Sequence, residues 1–180
     1  MSRKSFIVLL GAAGLIAGGA IVGVAASGDD SSRQQVVAER GARVMPFSLD
    51  ATTHVFQAGP DGGTQRVIAK DRSDAQNIRL VREHLRKEAD AFGRGDFADP
   101  AAIHGDEMPG LKALRAGYES VDVRYRDLPD GAEIVYATDK PDLAAAVRAW
   151  FDAQLGDHAG DAATGNQGTT DHTSHPDHAK

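Results

Sequence analysis

The sequence has no cysteine. That absence excludes a disulfide framework, a thiolate metal site, a cysteine nucleophile and a thioether-linked lipid anchor. Aromatic residues make up only 6% of the 180, and Tyr118, Tyr125, Tyr136 and Trp150 are too scattered to form a carbohydrate platform. Basic residues are the minority, 20 against 26 acidic, for a net charge of −6. A nucleic-acid binder needs a net basic face to neutralise phosphates, so that class is excluded as well. The chain contains no G-x-S-x-G elbow, no phosphate loop and no dinucleotide fingerprint. Gly59-Pro60-Asp61-Gly62-Gly63 is glycine-rich, but it falls between two β-rich runs, where turn chemistry explains it.

What is present is unevenly spread. Hydrophobic residues reach 41%, yet mean hydropathy is −0.35, because apolar residues crowd into the first 26 positions. Arg3 and Lys4 precede an uncharged run from Phe6 to Ala26, and Asp29 and Asp30 follow it. Basic before and acidic after is the orientation signal for an exported chain. Residues 1–26 read as a signal peptide, cleaved after Val24-Ala25-Ala26, or as a retained transmembrane helix. If uncleaved, residues 6–26 make a membrane partner, and Gly14…Gly18 and Gly19…Gly23 suit a homodimer through that helix. Both readings predict an extracytoplasmic, envelope or periplasmic protein. Residues 27–44 read as a linker or short polar helix.

At the other end, residues 157–180 contain no Leu, Ile, Val, Phe, Trp, Tyr or Met. Nothing there offsets the entropy of ordering the chain, so a disordered tail is predicted. His158, His172, His175 and His178 lie in it, and the last three are spaced three apart, which suits chelation of copper, nickel or zinc. The bland alternative is a solvating tail whose imidazoles titrate near pH 6.5.

Residues 45–156 read as one α+β domain. Thr52–Gln57 and Gln65–Ala69 flank a Pro60-Asp61-Gly62 turn, which predicts a hairpin. Ser73 with Gln76 suggests a capping box, and Ile78, Val81, Leu85 and Phe92 form one apolar stripe of the helix that follows. The second half repeats the pattern at an offset of 69, with Tyr125 answering Phe56 and Pro129-Asp130-Gly131 answering Pro60-Asp61-Gly62. Asp139 is the expected cap of a second helix that carries Leu143, Val147, Trp150, Phe151 and Leu155 inward and stops at Gly156. Between the units, Asp99–Ala116 is an expected connector with one short helix starting at Pro109. The predicted fold is a four-stranded antiparallel sheet with two helices on one face, a (ββα)2 pseudo-repeat.

Three histidines fall inside this domain. His54 shares a strand face with Thr52 and Phe56, and His84 follows Leu80 by four on the long helix. His104 opens Ile103-His104-Gly105-Asp106-Glu107-Met108-Pro109-Gly110, a segment a plain connector would not need. A sheet and its covering helix are neighbours, so His54, His84 and His104 are placed to converge. With Met108 they would suit copper, and with Asp106 or Glu107 zinc. The structural alternative makes His54 and His84 hydrogen-bonded boundary residues and His104 a helix cap. Arg79, Arg82, Arg86 and Lys87, interrupted by Glu83, Glu88 and Asp90, read as a solvated helix face.

Met45-Pro46-Phe47…Thr53-His54-Val55-Phe56, Val81-Arg82-Glu83-His84-Leu85 and Ile103-His104-Gly105…Met108-Pro109-Gly110-Leu111 together resemble a family of small exported bacterial proteins often named aspartate carbamoyltransferase. The similarity covers roughly residues 40–158. The enzyme of that name has two α/β domains, about twice this length, and a Ser-Thr-Arg-Thr loop for carbamoyl phosphate. That loop is absent here, and His175-Pro176 lacks the Gln that follows in the enzyme. The expected function is therefore a non-enzymatic binding domain for a transition metal or small polar ligand. A membrane-anchored protein-interaction module and an enzyme of the family name are the alternatives.

Overall fold

The computed structural model describes residues 26–158 and 162–165, with side chains from Ser31 onward. The apolar run thus lies outside the described residues except for Ala26, and so do His172, His175 and His178. Among the described residues, no helix is long and apolar enough to cross a membrane.

Among the described residues, five α-helices and five strands follow in the order α1 (Ala26–Val44), β1 (Thr52–Gly59), β2 (Gly62–Ala69), α2 (Ala75–Phe92), α3 (Ala98–His104), α4 (Leu111–Gly117), β3 (Asp122–Leu128), β4 (Gly131–Ala137), α5 (Pro141–Asp157) and β5 (Ala162–Thr164). The class is α+β, but the sheet corrects the expectation: it has five strands and is mixed, in the order β3-β4-β2-β1-β5. The fifth strand comes from the segment predicted to be disordered. It pairs parallel with β1, His54 opposite Ala162 and Phe56 opposite Thr164. Ala-Ala-Thr carries no apolar pattern because an edge strand can be held by its main-chain groups alone. Since β1 and β4 each run antiparallel to β2, β4 and β5 run parallel, and α5 is the crossover between them.

Both hairpins close where expected, at Gly59–Gly62 and Leu128–Gly131. Tyr136 shows how the helices sit: Phe92 of α2 and Trp150 and Phe151 of α5 all meet its ring, so both cover one face of the sheet. Trp150 is the hub, edge-on to Phe92, Phe97 and Tyr136 at 5.5–5.8 Å between ring centroids. On the opposite face Arg126 and Arg66 flank the buried Glu133 at 2.7 and 4.0 Å.

The helix starts differ from the sequence expectation. Asp74, not Ser73, caps α2, accepting from the Asn77 backbone N–H at 3.0 Å, while Ser73 bonds Asp71. Asp74→Ala should therefore lower the thermal midpoint by a few degrees, whereas Ser73→Ala should leave it nearly unmoved; a melting series reads both. Lys140 occupies the cap of α5 without a side-chain bond, and the helix runs through Gly156 to Asp157. The connector holds two helices instead of one. Gly110 joins them at φ +78°, and a Cβ there would stand 2.1 Å from the Ala146 carbonyl, so α4 meets α5 with backbone against backbone.

Residues 27–44 are more than a linker. Val37 of α1 is 2% exposed, and Arg33 and Arg40 reach the carbonyls of His104 and Ile103. α1 is thereby tied to α3.

Candidate metal centre

Four elements meet at one small cavity of about 30 Å³. The sheet supplies His54, which the alternation of β1 turns toward the helices together with Thr52 and Phe56; all three are buried. α2 supplies His84 and Glu88, one turn apart and so on one face. α3 supplies Asp99 from its first turn and His104 from its last. α5 supplies Trp150, Gln154 and, at its end, His158, again four apart. The three domain histidines singled out in the sequence thus line one cavity. Met108 does not: it is 4% exposed within the apolar core, and packing accounts for it.

Three side chains are close enough to share an ion. Ligand atoms of His84, Glu88 and Asp99 all lie within 4.8 Å of one another, His84 and Glu88 buried and Asp99 half-buried. The histidine rings also pack against one another. His54 stacks on His158 with centroids 5.6 Å apart and planes 3° from parallel, and His104 meets His158 edge-on at 4.9 Å. Phe47 packs against both His54 and His84.

His104 is held from behind. Its Nδ1 lies 2.8 Å from Asp157 Oδ2, and Asp157 accepts two bonds from Arg33 at 2.5 and 2.8 Å. A carboxylate on one ring nitrogen fixes the tautomer and leaves Nε2 for the cavity, the usual arrangement behind a ligating histidine. Burial works against the Asp157 carboxylate, but the bonds from Arg33 and His104 hold it below its ordinary range.

Burial dominates the electrostatics of these donors. Burial, reinforced by His158, His84 and His104, pushes His54 down to about 3. Burial likewise brings His84 down to about 4, with Asp99 pulling the other way, and lowers His104 despite Asp157. His54, His84 and His104 are therefore neutral at pH 7, the state in which imidazoles bind metals. Glu88 is pushed up to about 8 by burial and by the charge and hydrogen bond of Asp99, so its carboxyl keeps a proton at neutral pH. Lys87 approaches Asp99 at 3.6 Å from the solvent side, itself 73% exposed.

Glu88, Asp99, Trp150, Gln154 and His158 escaped the sequence reading. The signal that could have found Glu88 is its spacing of four from His84. The spacing of His158 from Gln154 and Trp150 is the same kind of signal, hidden because His158 counted as tail. No protein-family model, curated protein or solved structure matches the chain.

Proposed function

We propose that the chain is an exported transition-metal-binding domain that holds one divalent ion between His84, Glu88 and Asp99, in a cavity whose remaining imidazoles are His54, His104 and His158. The observation that carries this reading is the clustering of those three donors within 4.8 Å in a buried cavity. Two carboxyl groups forced together beside neutral imidazoles are costly alone and favourable around a cation. The size of the cavity adds weight, because about 30 Å³ fits an ion with a water or two. Organic ligands need sites of roughly 300–1,000 Å³, so carbamoyl phosphate and aspartate are not part of the reading. A mixed nitrogen and oxygen donor set, with Met108 withdrawn into the core, favours zinc or another borderline ion over copper(I).

The rival reading, an interaction module using the outer sheet face, has less behind it. Val36 is the one large apolar side chain exposed among the described residues, and the outer face is crossed by Arg66, Glu133 and Arg126. The tail histidines are an auxiliary chelator in this proposal, which makes a simple test. Calorimetric titration of the full chain carrying His172→Ala, His175→Ala and His178→Ala with zinc chloride at pH 7.5 should retain one saturable one-to-one site. Loss of all binding in that variant would leave the tail as the chelator and overturn the domain site.

A further inference from the structure

Two groups in the cavity have no use in holding a cation. Trp150 is 1% exposed and Gln154 6%, and the Trp150 Nε1 and the Gln154 Nε2 have no hydrogen-bond partner. Both side chains line the cavity and stand one turn apart on α5. An indole N–H can only donate, and so can the amide nitrogen of glutamine. Buried donors are almost always paired, so two orphans on one wall point to an acceptor that belongs there. The neighbouring Gln65 Oε1 accepts from the Tyr136 hydroxyl at 2.9 Å, and neither orphan donor reaches it.

We infer that an ion bound by His84, Glu88 and Asp99 keeps an open coordination position, occupied by a small exogenous acceptor that takes hydrogen bonds from Trp150 Nε1 and Gln154 Nε2. This rests on the metal reading above and goes beyond it. Sites with three protein ligands keep their fourth position for water or substrate, whereas purely structural sites are closed. The class of ligand follows from size and polarity. A cavity of about 30 Å³ admits water, hydroxide or a two- or three-atom anion, and the donors select for lone pairs. The competing arrangement, in which His54 or His158 closes the site, is an outcome of the test.

The full chain with the three tail histidines replaced by alanine is loaded with cobalt(II) and followed by its visible absorption while sodium azide is added. An open site gives a saturable spectral change. Gln154→Leu and Trp150→Phe should each weaken azide binding by roughly ten-fold or more, the worth of one bond to a charged acceptor, with the cobalt absorption retained. Gln154→Leu is the cleaner variant, since it keeps the size of the side chain. A cobalt spectrum indifferent to azide means a closed site and overturns this inference alone. Equal azide affinity in both variants overturns the assignment of the donors. Failure to take up cobalt overturns the metal reading, and this inference with it.

Discussion

Glu88→Gln is expected to weaken zinc binding by 100-fold or more while making the metal-free protein more stable than the parent at pH 7. The two halves of that result come from one fact. Glu88 is 7% exposed, stands against Asp99 and keeps its proton up to about 8. At neutral pH the metal-free parent already carries a neutral carboxyl group there, which an amide matches in shape and polarity. The unfolded parent has given up that proton by pH 7 and must regain it to fold, a cost the amide does not carry. Metal binding loses by the exchange, because an ion binds the carboxylate and displaces the proton, and an amide cannot follow. Loss of an outer-shell partner alone costs about 10–100-fold in metal affinity, so loss of a direct anionic ligand costs more. The variant's advantage should be small at pH 4.5 and grow by about 1.4 kcal/mol per unit up to about pH 8, where the folded parent ionises as well. Competition against a chromophoric chelator reads the affinity, and melting at pH 4.5 and pH 7 reads the stability. Unchanged zinc affinity in Glu88→Gln would remove Glu88 from the site.

Local signals carried the parts of the fold that local chemistry decides. Pro60-Asp61-Gly62 and Pro129-Asp130-Gly131 close their hairpins because proline, aspartate and glycine suit those turns by themselves. The apolar stripe of α2 buries Ile78, Val81, Leu85 and Phe92 because its period is set by the helix. What escaped depends on partners distant in sequence. β5 is held by main-chain pairing to β1, more than a hundred residues earlier, and needs no hydrophobic pattern of its own. Asp157 is buried because Arg33 and His104 reach it from α1 and α3, which nothing around Asp157 could announce.

The site divides the same way. His54, His84 and His104 were legible because an imidazole on an inward face wants a reason. Glu88 was not, because a glutamate among arginines and a lysine reads as solvated surface; only the position of α3, which brings Asp99 over it, makes it interior. Met108 misled in the opposite direction. A thioether near a histidine looks like a soft ligand, but methionine more often fills irregular apolar space, and here it does.

The stability of the metal-free protein should peak near pH 6.5 and fall on both sides, for opposite reasons. On the acid side, His54 and His84 titrate at about 3 and 4 in the folded protein, against an ordinary 6.5. The unfolded chain takes up protons below 6.5 that the folded one refuses, so this contribution is complete above 6.5 and is lost as pH falls. On the alkaline side, Glu88 holds its proton to about 8 in the fold but gives it up near 4.5 when unfolded. Its contribution is complete below 4.5 and is lost as pH rises through about 8. Between 4.5 and 6.5 two histidines outweigh one glutamate, for a net loss of about 1.4 kcal/mol per pH unit on acidification. His104 is shifted in the same sense and steepens the fall. Below 4.5 Glu88 no longer opposes, and Asp157, held low by Arg33 and His104, adds its own loss at still lower pH. From 6.5 to 8 the slope reverses to about 1.4 kcal/mol lost per unit. Zinc should abolish that alkaline decline, because it binds the deprotonated donors and only the folded state offers them together. Urea midpoints from pH 4 to pH 9, with chelator and with zinc, trace both curves. A metal-free profile flat from pH 5 to pH 8 would mean that His54, His84 and Glu88 are not buried together without a cation.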